Sequence, residues 1–380
     1  MADILYWLQI VLLLLGILVS CEIFTNAIEN LGEKLNIGHE FTGSVLAAVG
    51  TALPETILPL VAIYMASQAG AEAVSTKHDI AIGAILGAPF LLTTLAMFLL
   101  GLSIFLHRKS RGTDLLKVNP VHLERDLKYF LKVFLIAILA TSLSSDYLTR
   151  IIEQVCSTEL GLKIMHIFHP GIMNQCFDDA SFILRLIVGL VIILLYINYL
   201  MVTYQASQEE FSGDYAIVDC PILYMERYLK LKVNMFTVVL QTLIGLGGII
   251  FFAHGFVEGV EHISEMIAVS PLVLSLIVSP IATELPEKVN SWIWSSQGKD
   301  VLAMGNLSGA MVFQASIPCV IGIVMTPWVL SPIAIICASL AIVSTLVLYI
   351  SLKLKSQLNY QVLLSCGGFY LIYLALVFLS

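Results

Sequence analysis

The sequence predicts an all-α polytopic membrane protein of ten transmembrane helices, and three observations predict it. Of 380 residues, 58% are apolar and only 12% are charged, about half the charge of an average soluble domain. The mean hydropathy is +0.93, so the chain cannot wrap a water-compatible surface around one core. Uncharged runs long enough to cross a bilayer recur along its whole length, and the basic residues between them gather on one side. A net charge of −8 with no long basic run excludes nucleic-acid binding as a class.

A span needs about 20 mostly apolar residues. Uncharged runs of that order cover Ile4–Cys21, Ile80–Leu106, Leu186–Gln208, Val233–Val257 and Leu358–Ser380. The stretch Val301–Leu352 lacks Asp, Glu, Lys and Arg and holds two spans, divided at Thr326-Pro327 and Ser331-Pro332. Two further apolar segments each carry an acid beside a proline, around Glu55 and Glu287, and a weaker one runs from about residue 128 to 145.

Basic residues concentrate in cytoplasmic loops. The loop after the third span holds Arg108, Lys109, Arg111, Lys117, Arg125 and Lys128, and the loop after the fifth holds Arg227, Lys230 and Lys232. With Lys34, Lys299, Lys353 and Lys355, that side takes 13 of the 19 basic residues, against Lys77, Arg150 and Lys163 opposite. Both termini are therefore expected outside the cell membrane, a parity that ten spans satisfy. Asp3 stands where a signal peptide would be basic, so the first span is expected to be retained.

Cys21, Cys319, Cys337 and Cys366 fall in apolar runs and read as ordinary buried thiols. Cys156 and Cys176 share an outer loop, residues 146–180, where they either form a disulfide or remain two thiols.

The halves repeat each other. Gly50-Thr51-Ala52-Leu53-Pro54-Glu55 in the second span matches Ala282-Thr283-Glu284-Leu285-Pro286-Glu287 in the seventh. Each is followed by a glycine-rich span start, Gly83 to Gly87 and Gly305 to Gly309. The matched spans are five apart, an odd number, so the copies cross the membrane in opposite directions. The expected organisation is a first repeat over 1–205 (motif 41–100), a cytoplasmic loop over 206–231, and a second repeat over 232–380 (motif 270–325). Paired broken helices in inverted halves point to a transport site near the midplane.

The motif carries its own chemistry. Thr51 and Glu55 are four apart on one helix face, as are Thr283 and Glu287. Pro54 cannot donate to the carbonyl of Gly50, nor Pro286 to that of Ala282. Each half thus offers a carboxylate, a hydroxyl and a released carbonyl. Oxygen-only ligation suits a hard cation, and Ca²⁺ takes 6–8 oxygens. Glycines four apart at 83, 87, 305 and 309 are expected to let helices close on the broken pair.

These motifs resemble the two α-repeats of the Ca²⁺/cation antiporter superfamily, which includes the sodium/calcium exchangers. The turn Gly298-Lys299-Asp300 leading into Gly305-Asn306 is similar to the family's turn between its seventh and eighth helices. The resemblance implies ten spans in two inverted five-helix repeats, ion-binding glutamates at Glu55 and Glu287, and motif threonines at Thr51 and Thr283. It also implies that the first and sixth spans slide or rock past the rest. The chain departs from the family where motif serines become Ala52, Glu284, Ala88 and Ala310, and where a final Asn or Asp becomes Leu92 and Gln314.

Glu284 either pairs with Lys288, four residues on, or serves as a third site carboxylate. Three carboxylates gathered in low dielectric repel one another, which favours holding a proton among them and suits exchange against H⁺. Gln314 can ligate through its amide oxygen or join helices, Thr93 or Thr94 could lend a hydroxyl beside Leu92, and Asn306 reads as a helix–helix hydrogen-bonder. Glu22, Glu258, Glu261, His262 and Glu265 fall near span ends. His166 and His169 lack a third metal ligand in the sequence. Residues Met225–Lys232 read as an amphipathic lead-in to the sixth span.

No Walker, HExxH or G-x-S-x-G motif occurs, so no enzyme and no cofactor is expected. The expectation is an antiporter of Ca²⁺ or a related divalent cation against Na⁺ or H⁺, with the bilayer and the ions as its partners and a monomer as its state. The rivals are a same-fold exchanger of Mg²⁺, Mn²⁺ or a monovalent ion, a passive channel, and a non-transporting sensor or scaffold.

Overall fold

The computed structural model describes residues 2–34, 53–143, 170–210 and 222–379. These form a nearly all-helical fold. α1 covers Ala2–Lys34, α2 Leu53–Gln68 and α3 Ala71–Leu91. α3 runs through a π-helical turn, Leu92–Ala96, into α4, Met97–Arg111, so that one rod extends from residue 71 to 111. Then follow α5 (Pro120–Leu139), α6 (Pro170–Glu210), a short α7 (Tyr224–Leu229) and α8 (Met235–Ile267). The chain ends with α9 (Pro271–Thr283), α10 (Leu285–Ser296), α11 (Asp300–Met325), α12 (Pro332–Lys355) and α13 (Tyr360–Leu379). One exception to the helical rule is a two-residue antiparallel pair, Leu115–Leu116 against Leu358–Asn359, which ties the turn after α4 to the turn before α13.

Seven helices among the described residues are long and apolar enough to cross a membrane. The other three expected spans fall on α2, on α5 and on the broken pair α9–α10, so the count of ten rests partly on elements short of that criterion. The apolar exposure is that of a lipid-facing surface: Leu8, Leu12, Leu15 and Val19 line one face of α1, and Ile183, Ile187, Leu190 and Leu194 one face of α6.

The helix ends follow their sequence signals. Asn119 caps α5 by accepting from the Val121 N–H, with Pro120 in the first turn. Asn234 and Thr237 form a capping box on α8. The expected division of the long uncharged stretch occurs where α11 stops at Met325 and Ser331 caps α12. Pro89 lies inside α3 and supplies no N–H. Three residues later the ladder widens into the π turn, where Thr93 Oγ1 donates to the Pro89 carbonyl at 2.9 Å and Thr94 Oγ1 to that of Phe90 at 2.6 Å.

Two buried clusters organise the interior. One joins α4, α5, α11, α12 and α13; the other joins α1, α2 and α8. α3 and α9 contribute to both: Ile85 and Leu276 face the first, Ile80 and Leu274 the second. These two helices close on each other through the first glycine pair. A Cβ on Gly83 would stand 2.5 Å from the Leu272 carbonyl oxygen, and one on Gly87 would collide with that of Leu276. Half of the glycine expectation therefore holds. No described residue comes within 4 Å of a Cβ on Gly305 or Gly309.

α1 and α8 lie together along their length, and small residues set the spacing: Gly245 backs onto Phe24 and Gly248 onto Ser20. α7, the expected lead-in, docks across this pair. The Tyr224 N–H donates to Asn26 Oδ1 and the Met225 N–H to Gln241 Oε1.

Candidate functional site

The break expected at Pro286 is present. α9 ends at Thr283, Glu284 takes φ −91° and ψ 8°, and α10 restarts at Leu285 with the proline in its first turn. Glu287 therefore stands in the first turn of α10, as Glu55 stands in the first turn of α2. An N-terminal turn presents unpaired N–H groups and a positive dipole end, which favour a carboxylate there. The Leu-Pro-Glu triplet thus does the same local work twice.

All the acids of the motif are buried: Glu55 is 4% exposed, Glu284 0% and Glu287 2%. Neither oxygen of Glu55 accepts a hydrogen bond from another described residue. Its carboxylate lies within electrostatic reach of Glu287 and Glu284, and of Lys288 with the opposite sign. Burying a carboxylate without a partner is costly, so this arrangement calls for a cation or a proton. Gln314 on α11 is fully buried, and neither atom of its amide has a hydrogen-bond partner among the described residues. Among the described residues, no three acidic, histidine or cysteine side chains lie close enough to ligate one ion.

Glu284 has Lys288 as its partner. Lys288 Nζ stands 3.0 Å from Glu284 Oε2 and donates to the Pro280 carbonyl at 3.0 Å. The backbone turn between them is intact, with the Lys288 N–H donating to the Glu284 carbonyl at 3.2 Å. Pro286 does not spoil the four-residue spacing, because in the first turn of α10 its missing N–H breaks nothing between Glu284 and Lys288.

Thr283 Oγ1 donates to the Ser279 carbonyl at 3.1 Å, which leaves its lone pairs free to accept or ligate. The Ala282 backbone lies in the last turn of α9, and Gly50 and Thr51 lie outside the described residues. Thr93 and Thr94 give their hydroxyl protons to their own helix, inside the π turn. Asn306 joins helices: its Nδ2 donates to the Glu287 carbonyl at 3.2 Å and to Ser291 Oγ at 3.1 Å. That contact fixes the backbone of Glu287 against α11.

Three features were not read from the sequence. Cys21, on α1, stands within electrostatic reach of both Glu55 and Glu287. Lys77 on α3 pairs with Glu261 on α8 at 2.7 Å, within the second buried cluster. Asp300 and Arg111 form a buried two-armed ion pair. Of the cysteines, Cys21, Cys319, Cys337 and Cys366 are buried and free. Cys156, His166 and His169 lie outside the described residues, as does the Cys176 side chain, so the disulfide expectation does too.

The family model described as "Sodium/calcium exchanger protein" matches residues 5–205 and 237–379. Solved structures of similar fold include an H⁺/Ca²⁺ exchanger CAX, with a TM-score of 0.66 at 17% identity over 97% of this chain and 82% of that one. Native YfkE gives 0.60 at 15% identity, over 100% and 95% of the two chains. The sodium-calcium exchanger NCX_Mj gives 0.52 at 17% identity, over 98% and 99%. Among curated proteins, none matches the chain by sequence.

Proposed function

The chain belongs to the sodium/calcium exchanger protein family, and from that premise we propose that it exchanges Ca²⁺, or a related divalent cation, for Na⁺ or H⁺ by alternating access. The observation that carries this reading is the Glu55 carboxylate, buried with no hydrogen bond from another described residue and facing the charges of Glu284 and Glu287. An intramembrane acid without a fixed partner is a binding group for a mobile cation.

In this reading Glu55 and Glu287 hold the divalent ion in one phase and the counter-ions in the other. Thr51, Thr283 and the carbonyls of Gly50 and Ala282 complete an oxygen shell. Gln314 and the Glu284 oxygen turned from Lys288 lie at its edge. Ca²⁺ accepts such a shell because its coordination is large and irregular. Bringing these ligands together is the work of the moving step, in which α1 and α8 shift against α3 and α9. The two halves, 1–205 and 232–380, would form the inverted repeats about the site. The protein would sit in the cell membrane with both termini outside and the loop over 206–231 in the cytoplasm.

The test is uptake of labelled Ca²⁺ by proteoliposomes, with Na⁺ and H⁺ gradients imposed separately. Either gradient should drive Ca²⁺ uphill, competing divalents should rank by affinity, and Glu287→Gln should abolish flux in a folded protein. Flux independent of any counter-gradient, or normal flux in Glu287→Gln, would refute the reading.

A further inference from the structure

We propose that the Lys288 ammonium is a tethered cation that permanently fills one monovalent-ion position of the transport site, so that each cycle trades one divalent ion for two monovalent charges. The inference rests on the antiport reading above and deepens it.

The donors around Lys288 are those of a small cation. Its Nζ lies 3.0 Å from a carboxylate oxygen of Glu284 and 3.0 Å from the Pro280 carbonyl, at the C-terminal end of a half-helix. Half-helix C-termini and unwound carbonyls are where transporters hold coupling cations, because the dipole there is negative. The side chain is only 5% exposed, so the charge is not shared with solvent.

The repeats argue the same point. Glu284 and Lys288 occupy the positions that Ala52 and Thr56 occupy in the first half. One repeat carries an acid and a base together at these positions, and the other has neither. A stabilising surface pair needs no such placement, whereas a substitute for an ion needs both a ligand and the charge it binds.

The charge count follows. Glu55, Glu284 and Glu287 ionised, with Lys288 positive, give the site a charge of −2. One divalent ion or two monovalent ions neutralise it, and only neutralised sites cross a low-dielectric barrier readily. Without Lys288 the site carries −3 and needs a third monovalent charge.

The experiment clamps the membrane potential of the same proteoliposomes with K⁺ and valinomycin and follows labelled Ca²⁺, driven by whichever of Na⁺ or H⁺ couples. About 60 mV shifts an equilibrium tenfold for each net charge moved. The wild type should therefore show less than a twofold change in its equilibrium Ca²⁺ ratio over 60 mV. A tenfold shift would overturn the proposal, whatever the variants do. Lys288→Gln should steepen the dependence on the driving ion, raising its Hill coefficient from about two toward three. Glu284→Gln/Lys288→Gln, again with a charge of −2, should return it to about two. A structural ion pair would move neither quantity. Should Lys288→Gln fail to fold, the wild-type clamp and the double variant decide: a coefficient near three in the double variant overturns the proposal. If the wild type moves no Ca²⁺ under either gradient, the antiport reading itself fails, which is a separate result.

Discussion

Asp300→Asn tests whether the helical rods are fastened at their ends by a buried ion pair. The Asp300 carboxylate accepts from both arms of Arg111, at 2.8 and 2.7 Å, and from the Lys117 backbone N–H at 2.7 Å. The two side chains are 0% and 2% exposed. Arg111 closes α4 and Asp300 opens α11, and Arg111 also donates to the Ser295 and Leu115 carbonyls. Hydrogen bonds to a charged group contribute about 1.5–3 kcal/mol each. These three share one carboxylate and do not add, and removing one partner of a buried pair costs about 3–5 kcal/mol. Asparagine keeps the shape but turns a donor toward the guanidinium, so the loss should reach that range. Chemical denaturation in mixed micelles, followed by the fluorescence of nearby Trp292 and Trp294, reads it. Arg111→Met/Asp300→Leu, which leaves no stranded charge, should recover most of the loss. A cost below about 1 kcal/mol for Asp300→Asn would place the pair among ordinary solvated ones and refute the reasoning.

Three other outcomes follow from the packing and the ion pairs. Gly87→Leu drives a side chain into the Leu276 backbone of α9, which cannot retreat as a side chain could; a loss of about 1–3 kcal/mol is expected, together with slower Ca²⁺ flux. Cysteines at Lys77 and Glu261, which now pair at 2.7 Å between α3 and α8, should accept a short bifunctional thiol reagent, and the cross-linked protein should lose exchange until it is reduced or cleaved. Unchanged flux in the cross-linked protein would show that α8 does not move against α3. In the exposed N-terminal part of α5, hydrogen bonds from Lys128 and Lys353 hold the Glu124 carboxyl below the usual carboxylate range. A depressed acid stabilises the fold above its ordinary titration and loses that contribution as pH falls through its folded value. The difference in melting between wild type and Glu124→Gln should thus be present at about pH 7 and shrink as pH falls below the ordinary carboxylate range.

What could be read in the sequence is what the chain fixes locally. Leu-Pro-Glu before an apolar run dictates an acid in the first turn of a helix, and that geometry is found at both Glu55 and Glu287. The spacing of Glu284 and Lys288 is likewise a property of one turn. The partners that decide the rest lie far along the chain. Arg111 meets Asp300, and Lys77 meets Glu261, only after α3 and α4 have packed against α8 and α11. The glycines at 83 and 87 announced a close approach but not that α9 makes it. Cys21 read as an ordinary apolar thiol because nothing local shows that α1 brings it near two carboxylates.

The same division explains why the most informative feature is a failure of symmetry. Two copies of one motif predict equivalent acids, and Glu55 and Glu287 obey. Glu284 and Lys288 do not, since Ala52 and Thr56 stand opposite them. A pair that served only to hold the break in α9–α10 would be wanted equally beside Pro54, in the matching motif of the first half. Its presence in one half alone therefore ties it to the charge of the whole site, which has a single value however many repeats surround it.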